Sequence, residues 1–327
     1  MKKLLTIVIP CYNVEQYLAE CLDSILDTKY NDVLEVLAIN DGSKDGTLAL
    51  AREYEAKFPE ILRVIDKSNG GWGTVINMAI AEARGRYFKI LDSDDWFDKD
   101  SFRVFVDVLS KSDSDIIGTV CTEVYDTSRI EGTLYNEELC HKSWAIDDYI
   151  ESVENTNLPM TNITVRREIL FKFHSKLPPR YYGDICFILY VFSHAESIYL
   201  TNINLYQYRK DLSLQSTSVD SYRRNYKNFI DVSKVLVEFY SKNTFSRTKQ
   251  LVIKNNILGV ISFAYKLLMS KEYCGMLDDS RVTLLDFNKY LKQTSPDLYR
   301  ACFKITNKHV PYVLIWRLFN INLFKLR

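Results

Sequence analysis

The 327-residue sequence lacks the short motifs that most often assign a chemistry. No G-x-x-x-x-G-K-[ST] segment occurs, which excludes a P-loop nucleotide site. The first apolar segment runs into Pro10-Cys11-Tyr12-Asn13 instead of G-x-G-x-x-G, which argues against a dinucleotide-binding dehydrogenase. There is no G-x-S-x-G elbow, and the four histidines are too far apart in the sequence to suggest a shared metal ion. No spacing identifies a pair of carboxylates typical of a glycoside hydrolase.

The sequence also lacks net charge and any paired arrangement of cysteines. Lys+Arg and Asp+Glu number 42 each, so no overall field attracts nucleic acid and we expect no nucleic-acid partner. The seven cysteines form no C-x-x-C pair, which indicates reduced thiols rather than disulfides or a zinc site. The apolar run at 4–10 is too short to be a signal-peptide core. We therefore expect a cytoplasmic protein.

Strand-like and helix-like segments alternate through the first half of the chain. The predicted strands are Leu4–Ile9, Val33–Ile39, Leu62–Asp66 and Tyr87–Leu91, and the predicted helices between them are Glu15–Leu26, Thr47–Lys57 and Thr74–Ala83. This alternation predicts an α/β domain with a mostly parallel, Rossmann-like sheet and helices on both faces.

Further along the chain the pattern is weaker. We predict a helix from about Asp100 to Leu109, strands at Asp115–Val120, Thr161–Val165, Ile198–Leu200 and Leu205–Tyr208, and helices at Glu168–Phe173 and from Gly183. Residues 121–160 show no clear pattern, and the sequence is helical from Asp220 onward. We therefore predict an α/β domain over 1–217 and a helical C-terminal region over 218–327.

Three carboxylates follow the fourth predicted strand, in the segment YFKILDSDDW at 87–96. If the chain stays extended beyond Leu91, the side chains of Asp92 and Asp94 project to the same side. Such oxygen ligands suit Mg²⁺ or Mn²⁺, which can in turn hold a diphosphate. The alternative is a solvated, Asp-rich turn that caps the helix starting near Asp100.

The polar loops of the first hundred residues all follow predicted strands. They contain Tyr12-Asn13, Asp41, Asn69 to Gly73, and Asp92 to Asp95. Ligands of an open α/β sheet bind beyond the carboxyl ends of the strands. The sequence therefore predicts that these four loops form one binding site.

The same segments resemble successive signatures of family 2 glycosyltransferases, which are inverting enzymes of the GT-A fold, here of bacterial type. The resemblance is carried by TIVIPCYN at 6–13, the helix at 14–26, INDGSKDGT at 39–47, Asn69-Gly70-Gly71 and LDSDD at 91–95. It is close over about the first 110 residues and looser to about 217. It implies a nucleotide-sugar half at 1–110 and an acceptor half at 111–217.

The resemblance also implies roles for single residues of the donor site. Asp41 accepts a hydrogen bond from a uracil-type base, and Asp92 and Asp94 form the Asp-x-Asp motif, with Asp94 the direct metal ligand. The other residues that it places at the donor in this half of the chain are Pro10, Tyr12, Asn69, Gly70 and Ser93. The implied cofactor is Mn²⁺ or Mg²⁺.

Two later segments complete the resemblance but depart from the family pattern. Gly183-Asp184 lies where the family has Glu-Asp, which implies that Asp184 is the catalytic base; the alternative is that Asp184 caps the following helix. The segment with Arg209, Gln215 and Ser216 is similar to one that some members place over the donor diphosphate. Its usual glycine is missing, and the alternative is a surface loop before a helix.

These implications lead to one functional hypothesis and two alternatives. The hypothesis is a metal-dependent glycosyltransferase that moves a sugar from a nucleotide donor, expected to be a UDP-sugar, to a hydroxyl of a glycan, lipid-linked or protein acceptor. The pathway would be cell-surface glycan, teichoic acid or glycoprotein synthesis. The alternatives are a non-catalytic sugar-nucleotide-binding subunit of a transferase complex and a sugar-nucleotidyl transferase.

The end of the chain combines basic and apolar residues. Residues 297–327 contain one acid, Asp297, and six basic residues: Arg300, Lys304, Lys308, Arg317, Lys325 and Arg327. This composition predicts peripheral contact with the inner membrane face. Arg317 and two asparagines interrupt the apolar segment at 312–326, which argues against a membrane span. The alternative is a last helix that packs on the body or on a second subunit in a homodimer.

Overall fold

The computed structural model describes residues 3–153, 156, 158–173, 176–179, 181–210, 218–274, 279–305 and 311–319. The chain divides into two compact units, residues 1–212 and 213–327. We describe each unit by itself.

The first unit is built on one mixed sheet. Its strands are β1 (Leu5–Cys11), β2 (Leu34–Asp41), β3 (Leu62–Lys67), β4 (Tyr87–Ile90), β5 (Trp96–Phe97), β6 (Ile116–Val124), β7 (Arg129–Glu131), β8 (Ser143–Ala145), β9 (Ile163–Arg166) and β10 (Ser197–Arg209). They lie in the order β3-β2-β1-β4-β9-β6-β10-β5, with β7 paired to β6 and β8 to β10. The half from β3 to β4 is parallel, and β9 is antiparallel to both of its neighbours.

Within the described residues of this unit, seven α-helices connect the strands. They are α1 (Glu15–Asp23), α2 (Thr47–Lys57), α3 (Trp72–Glu82), α4 (Lys99–Lys111), α5 (Ile146–Ser152), α6 (Arg167–Leu170) and α7 (Gly183–His194). Ile7 and Ile9 of β1 share a core with Leu18 of α1 and Phe102 of α4. Helix α3 also packs on β1 and β2, and buries Val75. β2 is buried along its whole length, and its residues 36–39 form an apolar run instead of alternating with polar residues.

The structure confirms the predicted α/β fold but corrects several element bounds. The two strands predicted within 198–208 are one strand, β10, whose register against β6 shifts between Leu200 and Tyr206. Strand β6 continues to Val124 and pairs antiparallel with β7. Both β7 and the end of β6 lie within residues 121–160, for which no elements were predicted. Helix α1 ends at Asp23, three residues before the predicted end.

The second unit is helical, as predicted for the C-terminal region. It contains α8 (Val219–Lys242), α9 (Arg247–Met269), α10 (Ser280–Thr294), α11 (Pro296–Ala301) and α12 (Tyr312–Phe319). By length and composition alone, α9 could cross a membrane. However, Ile253, Ile257 and Ile261 are fully buried, and α9 packs against α8 and α10. These three isoleucines therefore pack inside the helical unit.

The basic residue within α12 is used inside the second unit. Arg317 donates to Asn288 Oδ1, the Tyr299 carbonyl and the Tyr265 hydroxyl at 2.8, 2.8 and 2.7 Å. Its guanidinium also stacks 3.8 Å from the centre of the Tyr299 ring, and Trp316 is buried. For residues 312–319 this geometry favours the packed-helix alternative; membrane contact by the rest of 297–327 stays a prediction.

Candidate active site

The loops after β1 and β2 are joined at the carboxyl edge of the sheet. Asn13 donates its backbone N–H to Ser43 Oγ at 3.0 Å, and Asn13 Oδ1 accepts from the Lys44 N–H at 2.8 Å. The Val14 N–H donates to Thr47 Oγ1 at 2.9 Å. Tyr12, predicted at the donor, lies in the first loop with half of its surface exposed. This edge therefore holds two of the four predicted loops in one fixed arrangement.

Asp41 fastens the third loop to the same edge. Its Oδ1 accepts from the Gly70 N–H at 2.9 Å and its Oδ2 from the Gly71 N–H at 2.8 Å. The Asp41 carbonyl accepts from Asn69 Nδ2 at 2.9 Å, and Lys67 forms an ion pair with the carboxylate. Asp41 is buried, so these donors compensate its desolvation. The predicted contact with a base would share oxygens that already have protein partners.

Lys67 is a contributor that the sequence reasoning missed. It ends β3 and pairs in register with Asp41 at the end of β2. A lysine and an aspartate at the ends of two neighbouring strands form an ion pair when the strand register places them side by side. The sequence contains both residues, but predicting the pair requires the register of β2 against β3.

The chain does not stay extended after β4, so the condition under which Asp92 and Asp94 would project to the same side is not met. The segment closes as a turn in which the Asp95 N–H donates to the Asp92 carbonyl at 3.0 Å. Ser93 Oγ donates to the Pro10 carbonyl at 2.7 Å and ties this turn to the end of β1. We call residues 92–95 the carboxylate turn.

The carboxylate turn is not the cap of the next helix, as the alternative supposed. Asp98 caps α4 by accepting from the Ser101 N–H at 2.9 Å. Asp95 is buried, whereas Asp92 and Asp94 are partly exposed. Two of the three carboxylates thus remain accessible to a ligand.

Asp95 is directed into the protein by β10. Its Oδ2 accepts from the Tyr206 hydroxyl and its Oδ1 from the Arg209 N–H, both at 2.7 Å. The Tyr206 oxygen also accepts from the Asp92 N–H at 3.1 Å, and Arg209 Nε donates to the Asp94 carbonyl at 2.9 Å. Sequence reasoning missed Tyr206, which carries no motif.

The carboxylates of the turn raise one another's pKa values. Burial and the nearby carboxylates of Asp94 and Asp184 together raise the pKa of Asp92 to about 7. Burial, Asp92 and Asp94 raise the pKa of Asp95 to about 8. Burial also raises the pKa of Asp94, against an opposing effect of Arg209. A cation or hydrogen-bond donors from a ligand would relieve this repulsion.

The oxygen donors of the turn fit a divalent ion shared with a ligand. Among the residues that the structure describes, no three His, Cys, Asp or Glu side chains converge as a complete metal cage. Mg²⁺ is commonly held by one or two carboxylates and completed by substrate phosphates and water. Asp92 and Asp94 match that pattern.

Asp184 reaches the same region because the chain before it is clamped to α3. Asn77 exchanges two hydrogen bonds of 3.0 Å with the backbone of Leu177, and the Gly73 N–H donates to the Pro179 carbonyl at 2.9 Å. A Cβ on Gly73 would lie only 1.8 Å from the Pro178 carbonyl oxygen, so only glycine permits this contact. The carboxylate of Asp184 raises the pKa of Asp92, so the two charges interact.

The structure corrects the proposed capping role of Asp184. Tyr182, at φ +68°, occupies the N-cap position of α7, and Asp184 lies in the first turn. Burial raises the pKa of Asp184, and hydrogen bonds from first-turn backbone groups oppose that rise. A Cβ on Gly183 would meet the Trp72 ring at 3.2 Å, which gives a physical reason for glycine where the family has glutamate.

The predicted diphosphate segment is described only in part. Arg209 lies 4.6 Å from the centre of the Trp96 ring and 5.2 Å from that of Tyr17, and it forms an ion pair with Glu20. Gln215 and Ser216 lie outside the described residues. A role for this segment at the donor stays a prediction.

Comparison with known proteins identifies the family. Residues 6–172, just over half of the chain, match the family model described as glycosyl transferase family 2. The chain belongs to glycosyltransferase family 2. GlyG of Streptococcus pneumoniae serotype 4, described as a glycosyltransferase, is 25% identical over 319 residues, which cover 93% of this chain and 96% of GlyG. For several other curated relatives, 36–44% identical, the match spans about a third of their length.

Two solved structures share the fold of this chain. TarS 1–349 of S. aureus, in complex with UDP-GlcNAc, superposes with a TM-score of 0.64 at 15% identity and covers 90% of this chain and 82% of TarS 1–349. The mannosyltransferase PcManGT of Pyrobaculum calidifontis, in complex with GDP-Man and Mn²⁺, superposes at 0.50 and 15% identity over 98% of this chain and 88% of that chain. These likenesses confirm the GT-A fold.

Proposed function

We propose that this protein is an inverting, Mn²⁺- or Mg²⁺-dependent glycosyltransferase that uses a UDP-sugar and glycosylates a hydroxyl of a glycan, lipid-linked or protein acceptor. The observation that carries the proposal is the arrangement of Asp92, Asp94 and Asp184. These carboxyls come from two distant parts of the chain and lie close enough for their charges to interact. Membership of glycosyltransferase family 2 supports a transferase role for this arrangement.

The donor side is formed by the carboxylate turn and the Asp41 loop. Asp92 and Asp94 would hold the donor diphosphate through a divalent ion, which when bound neutralises charge on the leaving group. Asp41 keeps Asn69, Gly70 and Gly71 beside the strand ends, where a nucleotide would lie. The UDP-GlcNAc complex of TarS, a protein of the same fold, supports a UDP-sugar as donor.

The acceptor side depends on Asp184. Burial raises the pKa of its carboxyl toward the range in which a general base works well near neutral pH. Asp184 would remove the proton of the acceptor hydroxyl while that oxygen attacks the anomeric carbon from the face opposite the diphosphate. Such a displacement inverts the configuration at that carbon.

The experiment is a measurement of nucleotide release by the full chain. UDP-glucose, UDP-galactose, UDP-GlcNAc and GDP-mannose would be tested with Mn²⁺ or EDTA, in the presence and absence of glycan acceptors. We expect Mn²⁺-dependent UDP release with one UDP-sugar, stimulated by the correct acceptor, and inversion in the product by NMR. Binding of nucleotide sugars without any release would instead favour the non-catalytic subunit.

A further inference from the structure

The carboxylate turn is bonded to β10 through three of its residues, Asp92, Asp94 and Asp95. The Tyr206 oxygen accepts from the Asp92 N–H at 3.1 Å, and the Tyr206 hydroxyl donates to Asp95 at 2.7 Å. Arg209 donates its Nε–H to the Asp94 carbonyl at 2.9 Å and its backbone N–H to Asp95 at 2.7 Å. Each residue of the turn that bears a carboxylate is therefore bonded to the same strand.

Tyr206 is itself held in one position. Its side chain is fully buried, and its ring packs edge-on against Phe97 with centroids 5.7 Å apart. Phe97 belongs to β5, which directly follows the turn and pairs antiparallel with β10 in the register Tyr206 to Phe97 and Gln207 to Trp96. The hydroxyl thus has little freedom to move away from the turn.

We infer that Tyr206 is a positioning residue for the metal-binding turn. Its hydroxyl satisfies the Asp92 N–H and directs Asp95 inward, so that Asp92 and Asp94 are left facing the ligand with a fixed separation. Carboxylates that bind a metal ion directly need such support, because small displacements weaken metal binding. The part of this inference that concerns metal rests on the proposed function.

The first test is Tyr206→Phe, which keeps the ring and removes only the hydroxyl. We expect Mn²⁺ binding in the presence of UDP, measured by calorimetry or by electron paramagnetic resonance, to weaken at least tenfold. The Mn²⁺ concentration for half-maximal rate should rise similarly, whereas kcat at saturating Mn²⁺ should fall much less. UDP binding without metal should not change.

Tyr87→Phe is the matched control. Tyr87 is also fully buried, lies on β4, and donates its hydroxyl to the Ser112 carbonyl at 2.8 Å, away from the turn. Loss of the Tyr87 hydroxyl should lower the melting temperature about as much as Tyr206→Phe does, and it should leave Mn²⁺ affinity unchanged. Equal Mn²⁺ affinities of the two variants would overturn the inference.

A substitution of Asp95, which accepts from the Tyr206 hydroxyl, tests the same bond from the other side. Asp95→Asn should weaken Mn²⁺ binding, and combining it with Tyr206→Phe should cost less than the sum of the two effects, because they break one shared bond. Should Tyr206→Phe fail to fold, Asp95→Asn carries the comparison with Tyr87→Phe.

Amide hydrogen exchange of residues 92–95 in metal-free protein should be faster in Tyr206→Phe than in Tyr87→Phe. If the wild type binds no Mn²⁺ with UDP, the proposed function fails, yet this exchange difference still decides the role of Tyr206. Equal exchange in the two variants would contradict that role.

Discussion

Lys67 forms an ion pair with Asp41 where β2 and β3 end side by side. The pair explains how a carboxylate that is only 3% exposed can stay at the edge of the sheet, since a buried anion without a partner would be strongly destabilised. Together with the amides of Gly70 and Gly71, it turns Asp41 into the fastening point of the third loop.

Asp41→Ala should weaken UDP binding by about 1–3 kcal/mol, the usual cost of leaving buried hydrogen-bond partners unsatisfied. Calorimetric titration with UDP checks this. Lys67→Met is the comparison, because it removes the cation and keeps both glycine contacts. If Asp41 contacts the base directly, Lys67→Met should weaken UDP binding clearly less than Asp41→Ala does. Unchanged UDP affinity in Asp41→Ala would remove Asp41 from the site.

Asp94→Ala should abolish metal-dependent turnover and leave the fold intact. The side chain is partly exposed, and Arg209 holds the backbone of the turn through the Asp94 carbonyl, which the substitution keeps. Asp98→Asn is the control, because it removes a nearby exposed carboxylate while asparagine still caps α4. Rates would be measured at saturating donor with Mn²⁺, and persistent activity of Asp94→Ala would show that the metal hypothesis is wrong.

The fold and the edge that bears the site could be predicted because they depend on short-range pattern. Parallel strands have their carboxyl ends at the same edge of the sheet, so the alternation predicted that Asp41 and Asp92 lie at one edge. The observed bond between Asn13 and Ser43 is a direct expression of that rule.

The details of the site depend on long-range contacts that no local pattern contains. Tyr206 and Asp95 are 111 residues apart, and their bond follows from the register of β10 against β5. Tyr206 and the Pro10 carbonyl provide hydrogen-bond partners for the turn at 92–95. Likewise, Asp184 is not the N-cap of α7, because the helix begins at Gly183, two residues before the start that a cap at Asp184 would set.

Lys89 should make the free energy of unfolding depend on pH. Its ammonium is buried and donates to the carbonyls of Thr161 and Ile163 at 2.9 and 3.2 Å, and burial lowers its pKa from 10.5 to about 7. Between these values the unfolded chain binds more protons than the folded one, so this contribution makes stability rise with pH. Below about pH 7 both states are protonated and the contribution is constant.

Lys89→Met isolates this effect from that of the acidic turn. Denaturant unfolding measures the free energy of unfolding of both proteins across the pH range in which the linkage relation makes this contribution change. We expect the variant to be more stable than the wild type near about pH 6.5 and to lose this advantage progressively toward about pH 9.5. Cys121 nearby stays neutral there, because burial raises its pKa to about 11. A constant difference over the whole range would contradict the assignment.

The C-terminal basic residues should divide into two functional groups. Arg300 and Lys304 are exposed, whereas Arg317 is bonded within the second unit. Flotation with anionic liposomes should fall in the double variant Arg300→Glu/Lys304→Glu and stay normal in Arg317→Met. The latter should instead lose about 2–3 kcal/mol of stability, because it breaks hydrogen bonds from a charged donor. Equal flotation of the double variant and the wild type would argue against membrane contact through these residues.

Asp184→Asn tests the residue on which the reaction assignment depends. Asparagine is nearly isosteric and can still accept hydrogen bonds from the first turn of α7, but it cannot take a proton. We expect a near-normal melting temperature and donor affinity, with a transfer rate at least about a hundredfold lower, the lower end of what a general base contributes. Because burial raises the pKa of Asp184, the wild-type rate should rise with pH through a value above 3.8 as the base deprotonates, and the residual rate of the variant should lack this limb. Transfer by Asp184→Asn at close to the wild-type rate, or with the same pH profile, would mean that Asp184 only supports the start of α7 and that another carboxyl is the base.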